Sequence, residues 1–232
     1  MAEMRFGLRK LTLLDYPGVV ACTVFTCGCN FRCPFCHNPD LVIGKAADLE
    51  FGFADVLEFL ESRKKVLDGI CITGGEPLLH DESVLLAQAA KAMGYRVKLD
   101  TNGSFPGKLG ELLKYGVADY VAMDIKNSPE KYRETSGADF LEQVKQSVGL
   151  LMDGDVEYEF RTTVTGALHE PADFAAIGGW IAGAKRYFLQ GFVDSGAILG
   201  GEAGRFEISD EKLNACLAEA KKFVPSAEIR GR

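Results

Sequence analysis

The chain has 232 residues, of which 47% are hydrophobic and 25% charged, proportions typical of a folded globular protein rather than a disordered or fibrous one. Its length predicts a single domain over residues 1–232, large enough to bury a substantial core. A formal net charge of -7 without any block of Lys and Arg argues against nucleic acid as a partner. Without a signal-peptide pattern or an apolar run of membrane-spanning length, we expect a cytoplasmic protein without membrane contact.

Apolar, β-branched runs alternate with stretches of helical periodicity along most of the chain. The first predicted strand, residues 19–25, follows a turn formed by Tyr16, Pro17 and Gly18. Five more strands are predicted at residues 69–73, 96–101, 119–125, 156–164 and 186–193, with helices near residues 53–60, 82–93, 108–115, 140–151, 172–184 and 210–223.

Six strand-helix repeats in this order predict an α/β fold built on a parallel sheet. A complete eight-stranded barrel usually needs about 250 residues, so we predict a partial, TIM-like (β/α)6 barrel. A flat doubly wound sheet is the alternative. We favour the barrel because polar motifs follow four of the strands at their carboxyl ends, where active sites of parallel barrels lie. These motifs occupy residues 27–38, 74–77, 100–103 and 124–127.

The segment at residues 195–205 contains Gly196, Gly200, Gly201 and Gly204. Such a composition is typical of a flexible connection between elements. It predicts either a simple connector or a mobile lid, and we favour the connector.

The densest group of reactive side chains is the loop at residues 27–38, which holds four of the seven cysteines. Cys29, Cys33 and Cys36 stand in a C-x3-C-x2-C spacing, with Phe35 just before the third. Crowded thiols in a chain without a secretion signal predict metal ligation rather than disulfides. Three thiolates can ligate three irons of a four-iron cluster, which leaves the fourth iron open to another ligand.

A structural zinc site is the alternative, because Cys27 and His37 provide more ligands than a tetrahedral ion needs. We favour iron and sulfur because one compact loop supplies every ligand, whereas zinc knuckles usually pair two separate cysteine elements. Cys27 is a candidate fourth ligand that we interpret as a bystander, since a fourth thiolate would close the open iron. Cys22, Cys71 and Cys216 lie in apolar elements and are predicted to be small buried residues.

Together with these motifs the loop resembles the radical S-adenosylmethionine enzymes, and among them the activases of glycyl radical enzymes. The subgroup that it resembles most is the anaerobic ribonucleoside-triphosphate reductase activating proteins. The resemblance covers most of the chain and rests on DYPG at 15–18, CNFRCPFCHNP at 29–39, ITGGEP at 72–77, LDTNG at 99–103 and MDIKN at 123–127.

This resemblance implies the radical SAM fold, one [4Fe-4S] cluster and S-adenosylmethionine. The family uses the reduced cluster to cleave S-adenosylmethionine into methionine and a 5'-deoxyadenosyl radical, which removes a hydrogen from one backbone glycine of a partner enzyme. The implied partner is anaerobic ribonucleotide reductase, with flavodoxin or ferredoxin as the electron donor. Two alternatives stay open: a radical SAM enzyme acting on a small molecule or another peptide, and a zinc-binding interaction module.

The same resemblance assigns roles to residues at the strand ends. Glu76 would accept hydrogen bonds from the cofactor amino group, and Lys126 and Arg161 would face its carboxylate. Asp100, Thr101 and Asp124 would hold a possible monovalent cation. The full set expected to bind the cofactor is Phe35, Gly74, Gly75, Glu76, Pro77, Asp100, Asn102, Lys126, Arg161 and Gln190.

Simpler explanations remain for several of these residues. Residues 74–77 and 100–103 have the composition of ordinary turns, and Arg161 is also compatible with a salt bridge on a strand face. Asp15 would face the partner's glycine, although Tyr16 replaces the glycine that other activases have beside it. Those activases also have a histidine near Gln190 that this chain lacks, so Gln190 is the candidate for a polar contact there.

Overall fold

The computed structural model describes residues 4–44, 49–194, 196–201 and 203–231. Within these residues one eight-stranded sheet follows the order of the chain. The first strand, β1 (Gly7–Thr12), pairs antiparallel with β2, and every later pair is parallel. The other strands are β2 (Ala21–Thr26), β3 (Gly69–Gly74), β4 (Arg96–Thr101), β5 (Tyr120–Asp124), β6 (Glu157–Val164), β7 (Tyr187–Gly191) and β8 (Glu228–Ile229).

Helices occupy the connections between the parallel strands, as strand-helix alternation requires. Among the described residues, no helix is both long enough and apolar enough to cross a membrane. The helices are α1 (Pro39–Ile43), α2 (Phe53–Arg63), α3 (Asp81–Ala92), α4 (Pro106–Lys114), α5 (Tyr132–Ser136), α6 (Leu141–Met152), α7 (Pro171–Trp180) and α8 (Asp210–Lys221).

The strand order distinguishes the two architectures considered for the sequence. Each strand from β2 to β7 pairs with its successor along the chain, whereas a doubly wound sheet reverses its order at a switch point. The six predicted strands correspond to β2 through β7, so the predicted partial barrel is confirmed. The six predicted strands do not include β1 or β8, and the sequence analysis also missed the helices α1 and α5.

The apolar faces of the helices explain why they pack on this sheet. In α6, Val144, Val148 and Leu151 recur at helical spacing and are all buried. Strand β3 supplies Ile70 and Ile72, which are fully buried in the same core. Because a parallel sheet of this kind is covered by helices, its strands read as nearly continuous apolar runs.

Charged side chains are nonetheless buried among the strands. The carboxylate of Glu159 on β6 is 1% exposed and accepts hydrogen bonds from both terminal nitrogens of Arg230, at 2.7 and 2.9 Å. Tyr120 donates a third bond at 2.6 Å. Arg230 directly follows β8, and its backbone nitrogen donates to the Leu189 oxygen. This ion pair therefore attaches the last strand to the sheet.

We expect Arg230→Ala to lower the free energy of unfolding by about 3 kcal/mol, because it leaves the buried Glu159 carboxylate without its counter-ion. Arg186→Ala is a matched control, since Arg186 pairs with the exposed Glu157 at 2.7 Å and its loss should cost about 1 kcal/mol or less. Urea unfolding followed by circular dichroism measures both. Equal losses in the two variants would contradict this account of β8.

Candidate active site

The loop at residues 27–38 and the carboxyl ends of β3 to β6 enclose one cavity of about 190 Å³. Cys29, Cys33 and Cys36 all line it, as the spacing predicts. Most of the other residues singled out in the sequence line the same cavity, namely Phe35, Gly74, Gly75, Asp100, Thr101, Asn102, Asp124, Lys126 and Arg161.

The cysteine loop is held by backbone hydrogen bonds to neighbouring segments. Arg32 donates to the Ser136 oxygen at 2.8 Å, and Gly28 donates to the Leu41 oxygen at 2.7 Å. Gly200, in the glycine-rich segment 195–205, donates to the Pro34 oxygen at 2.7 Å. The described part of that segment thus rests on the cysteine loop, while positions 195 and 202 lie outside the described residues.

The two glycines after β3 allow a close approach between backbones. A Cβ atom on Gly75 would lie 1.9 Å from the Gly28 oxygen, and one on Gly74 would lie 2.3 Å from the Thr26 oxygen. Gly74 also has a φ of 120°, which L side chains rarely adopt. Any larger residue would therefore push the 74–77 turn away from the segment that leads into the cysteine loop.

Glu76 lies behind the cavity, where it is fully buried. Its carboxylate accepts hydrogen bonds from the Leu78 nitrogen at 3.0 Å, the Thr101 hydroxyl at 2.8 Å and the Asn102 nitrogen at 2.7 Å. Burial raises the pKa of Glu76 to about 7, although the three donors act to lower it. The side chain joins the turn after β3 to the end of β4, and a contact with the cofactor amino group stays a prediction.

A network of charges forms the floor of the cavity. Arg161 on β6 donates to Asp124 on β5 at 3.0 Å and to Asp100 on β4 at 3.2 Å. Lys126 pairs with Asp124 at 2.9 Å, and Lys98 pairs with Asp100. Burial acts to raise the pKa of Asp124, but Lys126 and Arg161 outweigh it and lower that pKa to about 2. The salt bridge considered for Arg161 is therefore present, and it lies at the cavity.

The donor set fits a four-iron cluster. Three thiols from one loop line the cavity, and no fourth cysteine of the described residues does so. Burial raises the pKa of the Cys33 thiol to about 12 and also raises that of Cys29. Burial therefore disfavours the thiolate form of both, and the positive charge of bound iron would favour it. Cys27 does not line the cavity, and its sulfur lies 3.5 Å from the Leu41 oxygen.

Two predicted residues, Asp15 and Gln190, line a second cavity of about 260 Å³ instead. We call this second cavity the lumen cavity. It shares Thr73, Asp100 and Arg161 with the cysteine cavity, so the two cavities lie side by side. Asp15 accepts a hydrogen bond from Thr23 at 2.5 Å and lies 3.4 Å from an Arg9 nitrogen.

Sequence reasoning missed several residues near the cysteine cavity. Thr73 and Thr163 line it, and strand alternation places Thr163 on the same face as the predicted Arg161, a signal that was available. His169 is fully buried, accepts from the Thr165 nitrogen at 3.1 Å and donates to the Lys126 oxygen at 2.9 Å. No sequence pattern indicated that His169 would hold the backbone of Lys126.

Comparisons with known proteins agree with this geometry. The model of the Radical SAM superfamily matches residues 23–173, and the chain belongs to that superfamily. It is a radical SAM enzyme, and membership implies a [4Fe-4S] cluster and S-adenosylmethionine. This confirms the family predicted from the sequence and replaces the alternative of a zinc-binding interaction module.

Two relatives within this superfamily are named as activating enzymes. The chain is 32% identical over 239 residues to a Methanocaldococcus jannaschii protein provisionally named as a glycyl-radical enzyme activating enzyme, with 99% of this chain and 97% of the relative covered. It is 33% identical over 125 residues to the pyruvate formate-lyase-activating enzyme of Clostridium pasteurianum, covering 52% of this chain and 51% of that enzyme.

Solved structures share the fold. A domain of the pyruvate formate-lyase-activating enzyme from Bacteroides vulgatus matches with a TM-score of 0.58 and 16% identity, covering 70% of this chain and 99% of that one. Streptococcus suis SuiB bound to the precursor peptide SuiA matches with a TM-score of 0.65 and 12% identity, covering 88% of this chain and 47% of that one. At these identities the matches support the fold alone.

We expect Glu76→Gln to lower the free energy of unfolding by about 1–3 kcal/mol, because the new amide group would face backbone donors that need an acceptor. Thr101→Val removes one donor and leaves the carboxylate with two, so it should cost about 1 kcal/mol. Urea unfolding of the anaerobically purified proteins measures the difference. A Glu76→Gln protein as stable as the wild type would contradict the role assigned to this carboxylate.

Burial lowers the pKa of His169 below its usual value. Since the folded state disfavours the imidazolium, the stability that neutral His169 contributes is present above about pH 6.5 and is lost as the pH falls below it. We expect His169→Asn to abolish this part of the acid sensitivity. Thermal unfolding midpoints of both proteins between pH 7.5 and 5.5 measure this acid sensitivity. His37, whose pKa burial also lowers, is unchanged in both proteins, so parallel curves would refute the assignment to His169.

Proposed function

We propose that this chain activates a glycyl radical enzyme by removing one hydrogen from a backbone glycine of that partner. The observation that carries the proposal is the lumen cavity beside the cysteine cavity. Its lining includes Arg9 and Leu14, which are exposed, so the cavity reaches the surface. A backbone segment of another protein can therefore approach Thr73, Asp100 and Arg161 from that side, next to the cysteines.

Each group of site residues has a separate proposed role. Cys29, Cys33 and Cys36 would hold the cluster, and Arg161 and Lys126 provide the charge that suits the carboxylate of the cofactor. When bound, the cluster and S-adenosylmethionine supply hydrogen-atom abstraction from a carbon. The hydrogen bonds of Glu76 to Thr101 and Asn102 keep the turn and the strand end in a fixed relation around that ligand.

Finer parts of the proposal rest on the resemblance and on the relatives. Anaerobic ribonucleotide reductase is the proposed partner, and flavodoxin or ferredoxin the proposed electron donor. A monovalent cation held by Asp100, Thr101 and Asp124 is proposed as well, and its two carboxylates already pair with Arg161. We also propose a cytoplasmic location. A small molecule or another peptide as substrate is the alternative that the following experiment addresses.

The test uses electron paramagnetic resonance under anaerobic conditions. We expect reduced wild-type protein with S-adenosylmethionine and anaerobic ribonucleotide reductase to produce a glycine-centred radical signal, and Cys33→Ala to produce none. Cys216→Ala is the matched control, because Cys216 is a buried core residue of α8, and it should retain the signal and about four irons per chain. A radical formed by Cys33→Ala would refute the cluster assignment.

Absence of a radical with the wild-type protein and every glycyl radical enzyme tried would favour the alternative substrate classes. Under that outcome, cleavage of S-adenosylmethionine without a protein radical would still identify a radical SAM reaction on another substrate.

A further inference from the structure

The hydroxyl of Tyr132 has no hydrogen-bond partner among the described residues, although it is closed to solvent. Tyr132 is the first residue of α5 and is only 1% exposed. One other buried side-chain atom shares this state, the hydroxyl of Ser83 on α3. A buried hydroxyl without a partner costs free energy, and nearly every such group in folded proteins has one. The surroundings of Tyr132 show which partner its hydroxyl would meet.

Tyr132 lies against the cysteine loop. Its ring packs edge-on against that of Phe31, with 6.4 Å between the ring centroids. Four residues further along α5, the Ser136 oxygen lies 3.8 Å from the Cys33 sulfur and accepts from the Arg32 nitrogen at 2.8 Å. The short helix α5 therefore contacts residues 31–33 at both of its ends.

The charges around the phenol place it near the same cysteine. Burial raises the pKa of Tyr132 above its usual value, while the ammonium and the backbone of Lys126 act to lower it. Cys33 and Asp124 act to raise it further. A backbone group that lowers the pKa of a phenol donates toward its oxygen, so the hydrogen of the hydroxyl still lacks an acceptor.

Of the two neighbouring groups that can carry negative charge, the Asp124 carboxylate already accepts from Lys126 at 2.9 Å and from Arg161 at 3.0 Å. The other is the Cys33 sulfur. As a thiol it can donate to the Ser136 oxygen, whereas a thiolate bound to iron has no hydrogen and can only accept. Iron ligation would therefore create the acceptor that the phenol lacks.

We propose that the Tyr132 hydroxyl donates a hydrogen bond to the Cys33 sulfur once that sulfur ligates iron, and that this bond raises the reduction potential of the cluster. Tyr132 is then a positioning residue that acts through Cys33. The inference rests on the proposed role of Cys33 as a cluster ligand. Hydrogen bonds to ligand sulfurs help set the potentials of such clusters, and a donor favours the reduced form because that form carries more negative charge.

The test is an anaerobic redox titration of the cluster-loaded protein without S-adenosylmethionine, followed by electron paramagnetic resonance of the reduced cluster. In Tyr132→Phe, we expect the ratio of reduced to oxidised cluster at a fixed potential to fall about tenfold. For a one-electron couple this is a midpoint lower by about 59 mV. Phenylalanine keeps the ring and removes only the unpaired hydroxyl, so the variant should fold and load about four irons per chain.

Tyr95→Phe is the matched control. Tyr95 is also buried, at 3% exposure, but its hydroxyl donates to the Leu60 oxygen at 2.6 Å. Loss of this satisfied bond should lower the thermal unfolding midpoint and leave the reduction potential unchanged. A hydroxyl with a merely structural role at position 132 would give the same pattern as this control.

Resonance Raman spectra of the oxidised cluster identify the sulfur that accepts the bond, because stretches of iron–cysteine bonds are resolved from those of iron–sulfide bonds. We expect Tyr132→Phe to shift an iron–cysteine stretch. A shift confined to the iron–sulfide stretches would overturn Cys33 as the acceptor.

An unchanged potential in a fully loaded Tyr132→Phe protein would overturn the proposal, and so would loss of the cluster from that variant. A change that appears only after S-adenosylmethionine is added would also overturn it, since the hydroxyl would then act on the cofactor. Each of these results leaves the cluster assignment in place if Cys33→Ala loses the cluster. A Cys33→Ala protein that keeps about four irons per chain would instead refute the assignment on which both proposals rest.

Discussion

The cavity depends first on Arg161, which joins the ends of three neighbouring strands. It reaches Asp124 on β5 and Asp100 on β4 from its own position on β6, and Lys126 and Lys98 each pair with one of these two carboxylates. Burial acts to lower the pKa of Arg161, but the two carboxylates outweigh it and raise that pKa. Removing either carboxylate would leave cations without a counter-ion in a poorly solvated place, so the two carboxylates hold the strand ends in one arrangement.

The same network belongs to both cavities, and this has a functional consequence. Asp100 and Arg161 line both the cysteine cavity and the lumen cavity. Under the proposed function, a cofactor held by these charges and a partner segment entering from the surface would contact the same two residues. Close placement of reacting groups is the main contribution that a protein makes to chemistry carried by cofactors.

Much of the fold was predictable because its signals are local. Strands β2 to β7 are apolar runs, of which β2 to β5 end in polar motifs, and α6 shows a clear helical period. The helices α1 and α5 were missed because each has five residues, too few to show a period. Strand β8 has two residues and is attached largely by the ion pair of Arg230 with Glu159, a contact that no local pattern reveals.

By itself the sequence determined the family and the strand order and predicted the cysteine ligands, because spacing within a short loop and the alternation of elements are properties of the chain alone. Only the tertiary structure decided which contacts the remaining polar residues make. Glu76 is buried against three hydrogen-bond donors, Gln190 and Asp15 line the lumen cavity, and His169 donates to the backbone oxygen of Lys126. These assignments depend on which strand ends meet in space, and residues far apart in the chain carry no local signal of that meeting.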